Sequence, residues 1–224
     1  MALPSALTAA RPTESSPSCA GYSANVRVVV LISGSGTLLQ ALIDDVAADA
    51  GAYSIVGVVA DRAGIEGLGR ARQAGIPTVV VCPSTYAVRS AWDVALADAV
   101  GGFSPDLVVS AGFMRILGPA MLSAFPVINT HPALLPSFPG AHGVRDALVH
   151  GVKITGTTCH WVDSGVDTGP IIDQRAVRLE PDHDEAALRG RVKVEERELL
   201  VEVVRRLAAG PDGLAGVSPM LGTV

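Results

Sequence analysis

Cysteine is scarce in this 224-residue chain, and the spacing of its cysteines argues against a small domain held together by disulfides or by zinc. Cys19, Cys82 and Cys159 are three in number, lie far apart and form no C-x-x-C pair. This usage predicts neither a disulfide framework nor a zinc-finger type of site, and it is typical of proteins from a reducing compartment. We therefore expect a cytoplasmic location.

The chain also lacks metal-binding histidine spacing, a strong excess of one charge and a long apolar run. Its five histidines form no H-x-H or H-E-x-x-H pattern, which disfavours a metal site without excluding one. A formal net charge of -5 argues against a surface built for nucleic acid or anionic lipid, although a small anion could still bind in a local pocket. No apolar run is long enough to cross a bilayer, so we expect a soluble protein.

Length and composition predict one large domain between two polar ends. A chain of 224 residues with 49% hydrophobic content can form one sizeable core but hardly two. The start has neither the basic region nor the apolar core of a signal peptide. We predict a disordered extension over residues 1–25, the folded domain over 26–208 and a C-terminal tail over 209–224.

Between the two ends, short runs rich in β-branched residues alternate with amphipathic stretches. This alternation predicts an α/β fold, with a doubly wound, mostly parallel, Rossmann-like sheet whose strands are buried on both faces. The last two strands follow one another without a helix, so we expect them to be antiparallel, and a long C-terminal helix closes the domain. The predicted strands are 26–33, 53–60, 78–81, 106–112, 126–131, 153–161 and 170–179, and the predicted helices are 37–48, 65–73, 84–100, 118–124, 142–150 and 184–208.

Loops at the carboxyl ends of the strands are candidate sites, because ligands of such sheets bind there. The first is "SGSGT" at 33–37, whose glycines and following helix N-terminus suit a phosphate, with a simple tight turn as the alternative. It is not a P-loop, and Leu39 replaces the third small residue of a dinucleotide fingerprint. Asp61 nevertheless stands where a nicotinamide-dependent dehydrogenase binds ribose, so that enzyme class stays open.

A second candidate is the apolar segment "AGFMRIL" at 111–117. Exposed apolar side chains there would suit a flat aromatic ligand, and Arg115 could bind an anionic ligand tail. The alternative is ordinary packing at a helix start, since apolar stripes are usually core. The apolar side chains in question are Phe113, Met114, Ile116 and Leu117.

The third and fourth candidates carry groups suited to acid–base chemistry. Asn129 and His131 are two apart on a predicted strand and therefore project to the same face. His160 precedes a polar loop that contains Asp163 and Asp167. Amide donors, a group that titrates near neutrality and a carboxylate together fit acyl transfer through an oxyanion. Capping and turn formation are the structural alternatives for each of these residues.

Several sequence blocks, in register from about residue 26 to residue 208, carry a family resemblance. They are "LISGSGTLLQALID", "RARQAGIP", "VVSAGFMRIL", "INTHPALLPSFPGAHGVRDAL", "GTTCHWVDSGVDTGPII" and "RVKVEERELL". Together they resemble the phosphoribosylglycinamide formyltransferases, which are folate-dependent enzymes of purine biosynthesis. The Asn-x-His-Pro-x-Leu-Leu-Pro and Asp-x-Gly-Pro stretches are specific to folate formyltransferases, and the AGFMRIL block narrows the resemblance to this family.

The resemblance implies that the formyl group of 10-formyltetrahydrofolate is transferred to the amine of 5-phosphoribosylglycinamide. Both partners are small molecules, no metal is needed, and a homodimer is compatible with the family. Asn129 and His131 would hold the oxyanion and Asp167 would aid proton transfer, with His160 in support. Nucleotide binding is implied for Gly34, Ser35, Gly36, Thr37, Pro132, Lys193 and Glu196, and folate binding for Arg89, Met114, Arg115, Ile116, Leu117, Val162 and Asp163.

The phosphate loop departs from the family pattern. Many relatives have Gly-Asn-Gly-Ser-Asn where this chain has Ser35, Thr37 and Leu38 at the variable positions. Leu38 cannot replace the contact of the second Asn. We therefore expect the phosphate to rely on backbone amides and the Thr37 hydroxyl, with an affinity that the sequence does not fix.

Four rival functions share parts of this pattern. Methionyl-tRNA formyltransferase would need an RNA-binding domain after the core, and formyltetrahydrofolate deformylase a regulatory domain before it; neither fits the expected single domain. A dehydrogenase would leave residues 129–136 without a role. A non-catalytic folate or nucleotide sensor would use the same residues as the enzyme, so it stays open.

Overall fold

The computed structural model describes residues 25–49, 51–180 and 184–209. The predicted terminal segments, 1–25 and 209–224, lie outside the described residues except for one residue each. The strands are β1 (Val26–Ile32), β2 (Tyr53–Ala60), β3 (Thr78–Val80), β4 (Leu107–Ser110), β5 (Val127–His131), β6 (Ile154–Trp161) and β7 (Ile171–Arg178). The α-helices are α1 (Thr37–Ala48), α2 (Glu66–Gln73), α3 (Arg89–Gly101), α4 (Pro119–Leu122), α5 (Gly143–His150) and α6 (Glu185–Ala209).

The described strands form one sheet in the order β3-β2-β1-β4-β5-β6-β7. Strands β1 to β5 are parallel, whereas β5, β6 and β7 pair in antiparallel fashion. The predicted α/β class, with a mostly parallel sheet and antiparallel final strands, is confirmed. Strand order reverses between β1 and β4, which opens a crevice at the carboxyl ends of the central strands.

The sheet has an apolar core on each of its two faces. In β1, Val28 and Ile32 contribute to the core that contains α1 and α6. Val29 and Leu31 contribute to the opposite core, where Trp92 of α3 lies. All four of these strand residues are fully buried, as expected for a central parallel strand. Packing on both faces fixes the position of β1, and the loop that follows β1 therefore starts from a defined position.

Two local predictions were wrong. The third strand is not buried on both faces, because β3 is short and lies at the sheet edge, where Val80 is 38% exposed. The third helix was expected from residue 84, but α3 begins at Arg89. A 3₁₀ turn at Pro83–Thr85 comes first, and the Thr85 hydroxyl closes it by donating to the Cys82 carbonyl over 2.8 Å. Within the described residues, no helix is both long enough and apolar enough to span a bilayer.

Candidate active site

Four polar side chains meet beside the carboxyl end of β5. The pairing of β5 with β6 places Asn129 opposite His160, and the Asn129 Nδ2 atom lies 3.2 Å from His160 Nε2. The loop after β6 brings the carboxylate of Asp167 within 3.2 Å of His131 Nδ1 and 3.5 Å of His160 Nε2. The structure therefore brings the three predicted catalytic residues and the predicted supporting histidine into one cluster.

Hydrogen-bond directions leave Asn129 with spare donor capacity. His160 Nδ1 lies 2.8 Å from the Trp161 carbonyl, which can only accept, so this nitrogen carries a hydrogen. In the neutral ring, His160 Nε2 is then an acceptor for one N–H of the Asn129 amide, 3.2 Å away. An amide group has two N–H bonds, so Asn129 keeps a second donor for a ligand.

His131 is held between two acceptors. Its Nε2 atom lies 2.8 Å from the Phe138 carbonyl, and its Nδ1 atom faces the Asp167 carboxylate. Only the doubly protonated ring can donate to both, so these contacts favour the cation. Burial has the larger effect, however, and it lowers the pKa of His131 although Asp167 and the Phe138 carbonyl raise it. The ring is thus a site where a proton can be both held and released.

Asp167 is fixed by its own backbone and by a neighbouring loop. Its φ of 55° is in the left-handed region, which aspartate tolerates better than most residues do. The Gly140 N–H donates to its carboxylate over 2.8 Å. Burial alone would raise the pKa of Asp167, but the hydrogen bond from the Gly140 N–H and the nearby His131 favour the carboxylate, and the pKa is lowered. Asp167 is therefore a carboxylate at neutral pH.

A cleft borders this cluster and contains several predicted folate-binding residues. Ile116, Leu117, Val162 and Asp163 line it together with Asn129, His160 and Asp167. Exposure and core packing were both open for the apolar segment, and each applies to part of it. Met114 and Ile116 are 69% and 58% exposed, but Phe113 and Leu117 are almost buried, because they pack in the core beneath the cleft.

Asp163 has a structural role in the loop beside this cleft. Its Oδ1 atom accepts hydrogen bonds from the Gly165 N–H at 3.0 Å and from the Thr168 hydroxyl at 2.7 Å. This is the turn-shaping role that the sequence left as an alternative.

Arg115 does not stand free, and Asp61 is not positioned to bind a ribose. The Asp61 side chain is fully buried and its two oxygens accept from Arg62 at 3.0 Å each. Arg115 Nε also donates to Asp61, over 2.8 Å. Burial raises the pKa of Asp61, but the two guanidinium groups lower it more. The feature that favoured a dehydrogenase is thus an internal ion-pair cluster.

Arg89, another predicted folate residue, is anchored at the start of α3. Its Nε donates to Asp93 over 2.7 Å, and its guanidinium lies 4.7 Å from the Trp92 ring centroid. A further N–H bonds the Ile116 carbonyl. Arg89 thus ties α3 to the segment that lines the cleft.

The predicted phosphate loop has the conformation that its sequence suggested. Gly36 has a φ of 69° immediately before α1, and a side chain there would come within 2.6 Å of the Gly67 backbone. Arg70 supports the loop by donating to the Ser35 carbonyl over 2.9 Å. No acidic residue occupies the first turn of α1, so its backbone amides keep their attraction for an anion.

The other three residues predicted to bind the nucleotide, Pro132, Lys193 and Glu196, lie in different surroundings. Pro132 directly follows His131, and Lys193 is exposed on α6. Glu196 is only 8% exposed and accepts from the Thr130 hydroxyl over 2.8 Å. Thr130 lies between Asn129 and His131 and therefore projects to the opposite face of β5. Burial raises the pKa of Glu196, and its carboxylate does not meet the Asn129–His131–Asp167 cluster.

Sequence reasoning missed the backbone groups that hold the cluster. The Phe138 carbonyl and the Gly140 N–H bind His131 and Asp167, and both belong to the turn that follows β5. Main-chain groups occur in every residue, so only the proline- and glycine-rich sequence "PSFPG" (136–140) could have indicated an ordered turn. In the part of the chain that the structure describes, no group of three or more His, Cys, Asp or Glu side chains is arranged to hold a metal ion.

Comparison with known proteins shows the family of this chain. The formyl transferase family matches residues 26–204. Phosphoribosylglycinamide formyltransferase of Mycobacterium tuberculosis is 48% identical over 202 residues, which cover 89% of this chain and 93% of the relative. The Escherichia coli K12 protein of the same name is 39% identical over 187 residues, covering 83% and 88%. Glycinamide ribonucleotide transformylase 1 from Symbiobacterium toebii superposes with a TM-score of 0.80 at 44% identity, covering 82% of this chain and 88% of that one. The chain therefore belongs to the formyl transferase family and, within it, to the phosphoribosylglycinamide formyltransferases.

Proposed function

We propose that Asn129, His131 and Asp167 carry out formyl transfer from 10-formyltetrahydrofolate to the amine of 5-phosphoribosylglycinamide. The observation that carries the proposal is the single cluster that these three side chains form at the edge of an apolar cleft. The proposed catalytic domain is residues 26–208. The proposed steps use only the side chains of this domain and the two substrates, and they require no metal.

In the proposed reaction the free amine attacks the formyl carbon. A carbon–nitrogen bond forms, and the carbonyl oxygen becomes the oxyanion of a tetrahedral intermediate. The bond from this carbon to folate N10 then breaks, and one proton passes from the attacking amine to the departing nitrogen. The cluster contains groups that can stabilise the oxyanion and a carboxylate that can assist the proton transfer.

Asn129 and His131 would stabilise the oxyanion. The second N–H of the Asn129 amide supplies one donor, since the first is bonded to His160. The protonated form of His131, which burial disfavours and which Asp167 and the Phe138 carbonyl favour, supplies positive charge during the reaction. Its side chain is only 4% exposed, so this charge is poorly screened by water.

Asp167 would set the charge of His131 and assist the proton transfer. Its carboxylate stays ionised at neutral pH and lies 3.2 Å from His131 Nδ1, which favours the protonated ring. A carboxylate with one oxygen near each histidine can also accept the amine proton through a water molecule. His160 supports the arrangement by holding the Asn129 amide.

The substrates would lie along the carboxyl edge of the sheet. The phosphate is proposed on Gly34 to Thr37, where backbone amides of α1 attract an anion. Only β4 separates β1 from β5, so this loop is roughly 10 Å from the cluster across the sheet, a span that a ribose and glycinamide can bridge. Pro132, Lys193 and Glu196 would border the amine and ribose.

The folate is proposed along the apolar cleft. Exposed Met114 and Ile116 provide surface for its aromatic part, and Leu117 and Val162 complete the wall. Asp163 would border the pterin end of this cleft. The partly exposed guanidinium groups of Arg89 and Arg115 would attract the anionic tail.

The experiment mixes the purified protein with 10-formyl-5,8-dideazafolate, with and without 5-phosphoribosylglycinamide, and follows the absorbance of the deformylated product. Product formation that depends on the nucleotide is the expected result. Release without nucleotide would instead indicate a hydrolase, and folate binding without release would indicate a sensor.

A further inference from the structure

Thr158 lies in β6, and its side chain is hydrogen-bonded to the backbone of the turn that follows β5. Its hydroxyl donates to the Ala133 carbonyl over 2.7 Å and accepts from the Leu135 N–H at 3.0 Å and from Gln174 Nε2 at 2.9 Å. A hydroxyl has one hydrogen and two lone pairs, so all its capacity is used. Thr158 is fully buried, and a loss of these bonds could not be made good by water.

Gln174 of β7 reinforces the same turn from the neighbouring strand. One N–H of its amide donates to the Thr158 hydroxyl, and the other donates to the Leu135 carbonyl, each over 2.9 Å. Leu135 is therefore held at both its N–H and its carbonyl by side chains of β6 and β7. The turn has a defined position although it belongs to no helix or strand.

This turn is the same segment that supplies the backbone contacts of the catalytic cluster. Three residues beyond Leu135, the Phe138 carbonyl meets His131 Nε2. Two residues further, the Gly140 N–H meets Asp167. A displacement of the turn would move both contacts at once and change the protonation of His131 and Asp167.

We propose that Thr158, assisted by Gln174, is a positioning residue for formyl transfer that sets the alignment of His131 and Asp167 through this turn. The inference rests on the proposed function, since it concerns the same cluster. Thr158 is the cross-strand neighbour of His131, but the hydrogen bonds of its hydroxyl go to Ala133 and Leu135. We infer that these bonds act on the cluster through the backbone from Ala133 to Gly140.

The sequence offers a matched control on the same strand. Thr155 also lies in β6 and is 1% exposed, but its hydroxyl has no hydrogen-bond partner. Thr155→Val and Thr158→Val therefore make the same chemical change in equally buried places. Only Thr158→Val removes hydrogen bonds to the turn. Thr158→Ser keeps the hydroxyl and serves as the rescue variant.

The kinetic test compares these three variants with the wild type in the formyl-transfer assay. Thr158→Val should lower kcat by about tenfold to a hundredfold, the usual consequence of a small misalignment, with little change in either KM. Thr158→Ser should restore most of the rate, and Thr155→Val should match the wild type. An unchanged kcat in Thr158→Val, or an equal loss in Thr155→Val, would overturn the proposal.

A second measurement does not depend on turnover. NMR titration of the histidine ring signals should show a lower pKa of His131 in Thr158→Val, because the Phe138 carbonyl no longer favours the charged ring. Thr158→Ser should titrate like the wild type, and an unchanged titration in Thr158→Val would contradict the inference. If the wild-type protein lacks transferase activity but Thr158→Val still lowers the pKa of His131, the proposed function fails while the positioning stands.

Gln174→Met keeps the test decisive should Thr158→Val fold poorly. Gln174 lies on the edge strand, so its replacement changes no fully buried position. It removes two donors, one to the Leu135 carbonyl in the turn and one to the Thr158 hydroxyl. We expect Gln174→Met to lose less kcat than Thr158→Val and to lower the pKa of His131 in the same direction. Wild-type values for both would count against the proposal.

Discussion

Replacement of Asp167 by asparagine should remove a charge from the cluster while preserving its shape. The amide oxygen of asparagine can still accept the Gly140 N–H, which is 2.8 Å from the carboxylate. The lost attraction to a protonated His131 is roughly 5 kcal/mol at 3.2 Å for an effective dielectric constant of about 20. Proton-transfer groups typically contribute about 10²–10⁴ in rate, or roughly 2.7–5.4 kcal/mol, so we expect kcat to fall within that range.

The assay is the dependence of kcat on pH for Asp167→Asn, beside Asp173→Asn as control. Asp173 is a β7 carboxylate that pairs with Arg206 of α6 and lies opposite Cys159. Cys159 and His160 project to opposite faces of β6, so Asp173 is across the sheet from the cluster and its replacement should leave kcat unchanged. Loss of Asp167 lowers the pKa of His131, because the neighbouring carboxylate raises it in the wild type. A folded Asp167→Asn variant with the wild-type rate and the wild-type pH profile would refute the role assigned to Asp167.

The same substitution has a stability signature whose sign follows from the pKa of Asp167. That pKa is lowered in the folded protein, so the carboxylate contributes stability above its ordinary value of 3.8 and loses it as the pH falls through the folded value. The difference in unfolding free energy between wild type and Asp167→Asn should therefore shrink on acidification. A difference that is constant with pH would contradict this reasoning.

Three further predictions concern the phosphate loop, the buried glutamate and the thiols. Gly36→Ala should raise the nucleotide KM and lower the melting temperature more than Gly34→Ala does. Gly36 has a φ of 69°, and a Cβ there would lie 2.6 Å from the Gly67 backbone, whereas a Cβ at Gly34 meets nothing within 4 Å. Equal melting temperatures of the two variants would refute this. Burial raises the pKa of Glu196, so its stability contribution is complete below the unfolded value of 4.5 and is lost as the pH rises. Glu196→Gln should therefore gain stability relative to wild type above that pH in denaturant titrations, and no gain would show that the carboxylate is well solvated. Burial raises the pKa of Cys159 to about 12, whereas the Ser84 hydroxyl lowers that of Cys82. Peptide mass spectrometry after iodoacetamide treatment should find Cys82 alkylated before Cys159, and the reverse order would be contrary to expectation.

Much of the fold could be predicted because its signals are local. Runs of β-branched residues identify strands that are buried on both faces, and β1 shows this with five consecutive fully buried residues from Val28 to Ile32. The face shared by Asn129 and His131 follows from the two-residue period of a strand. The late start of α3 could not be predicted, because a 3₁₀ turn and an extended Val88 interrupt an apolar pattern that looked continuous.

The site was predictable in its side chains but not in its support. The ion pair of Asp61 with Arg115 joins residues 54 apart, and no local pattern indicates such a partner. The Phe138 and Gly140 contacts involve backbone groups, which leave no trace in side-chain identity. The burial of Glu196, which was predicted to bind the nucleotide, could have been foreseen. Glu196 lies on the apolar stripe of α6 with Val192 and Leu199 at helical spacing, and this spacing predicts burial.

Oxyanion stabilisation by Asn129 and His131 is the central claim, and single-turnover kinetics test it most directly. With both substrates saturating, formyl transfer in Asn129→Ala and in His131→Ala should be about 10²–10³ slower than in the wild type. The first variant loses a hydrogen-bond donor to the oxyanion, and the second loses the positive charge beside it. Circular dichroism would establish that the variants are folded. Near-wild-type transfer rates in the folded variants would contradict the account.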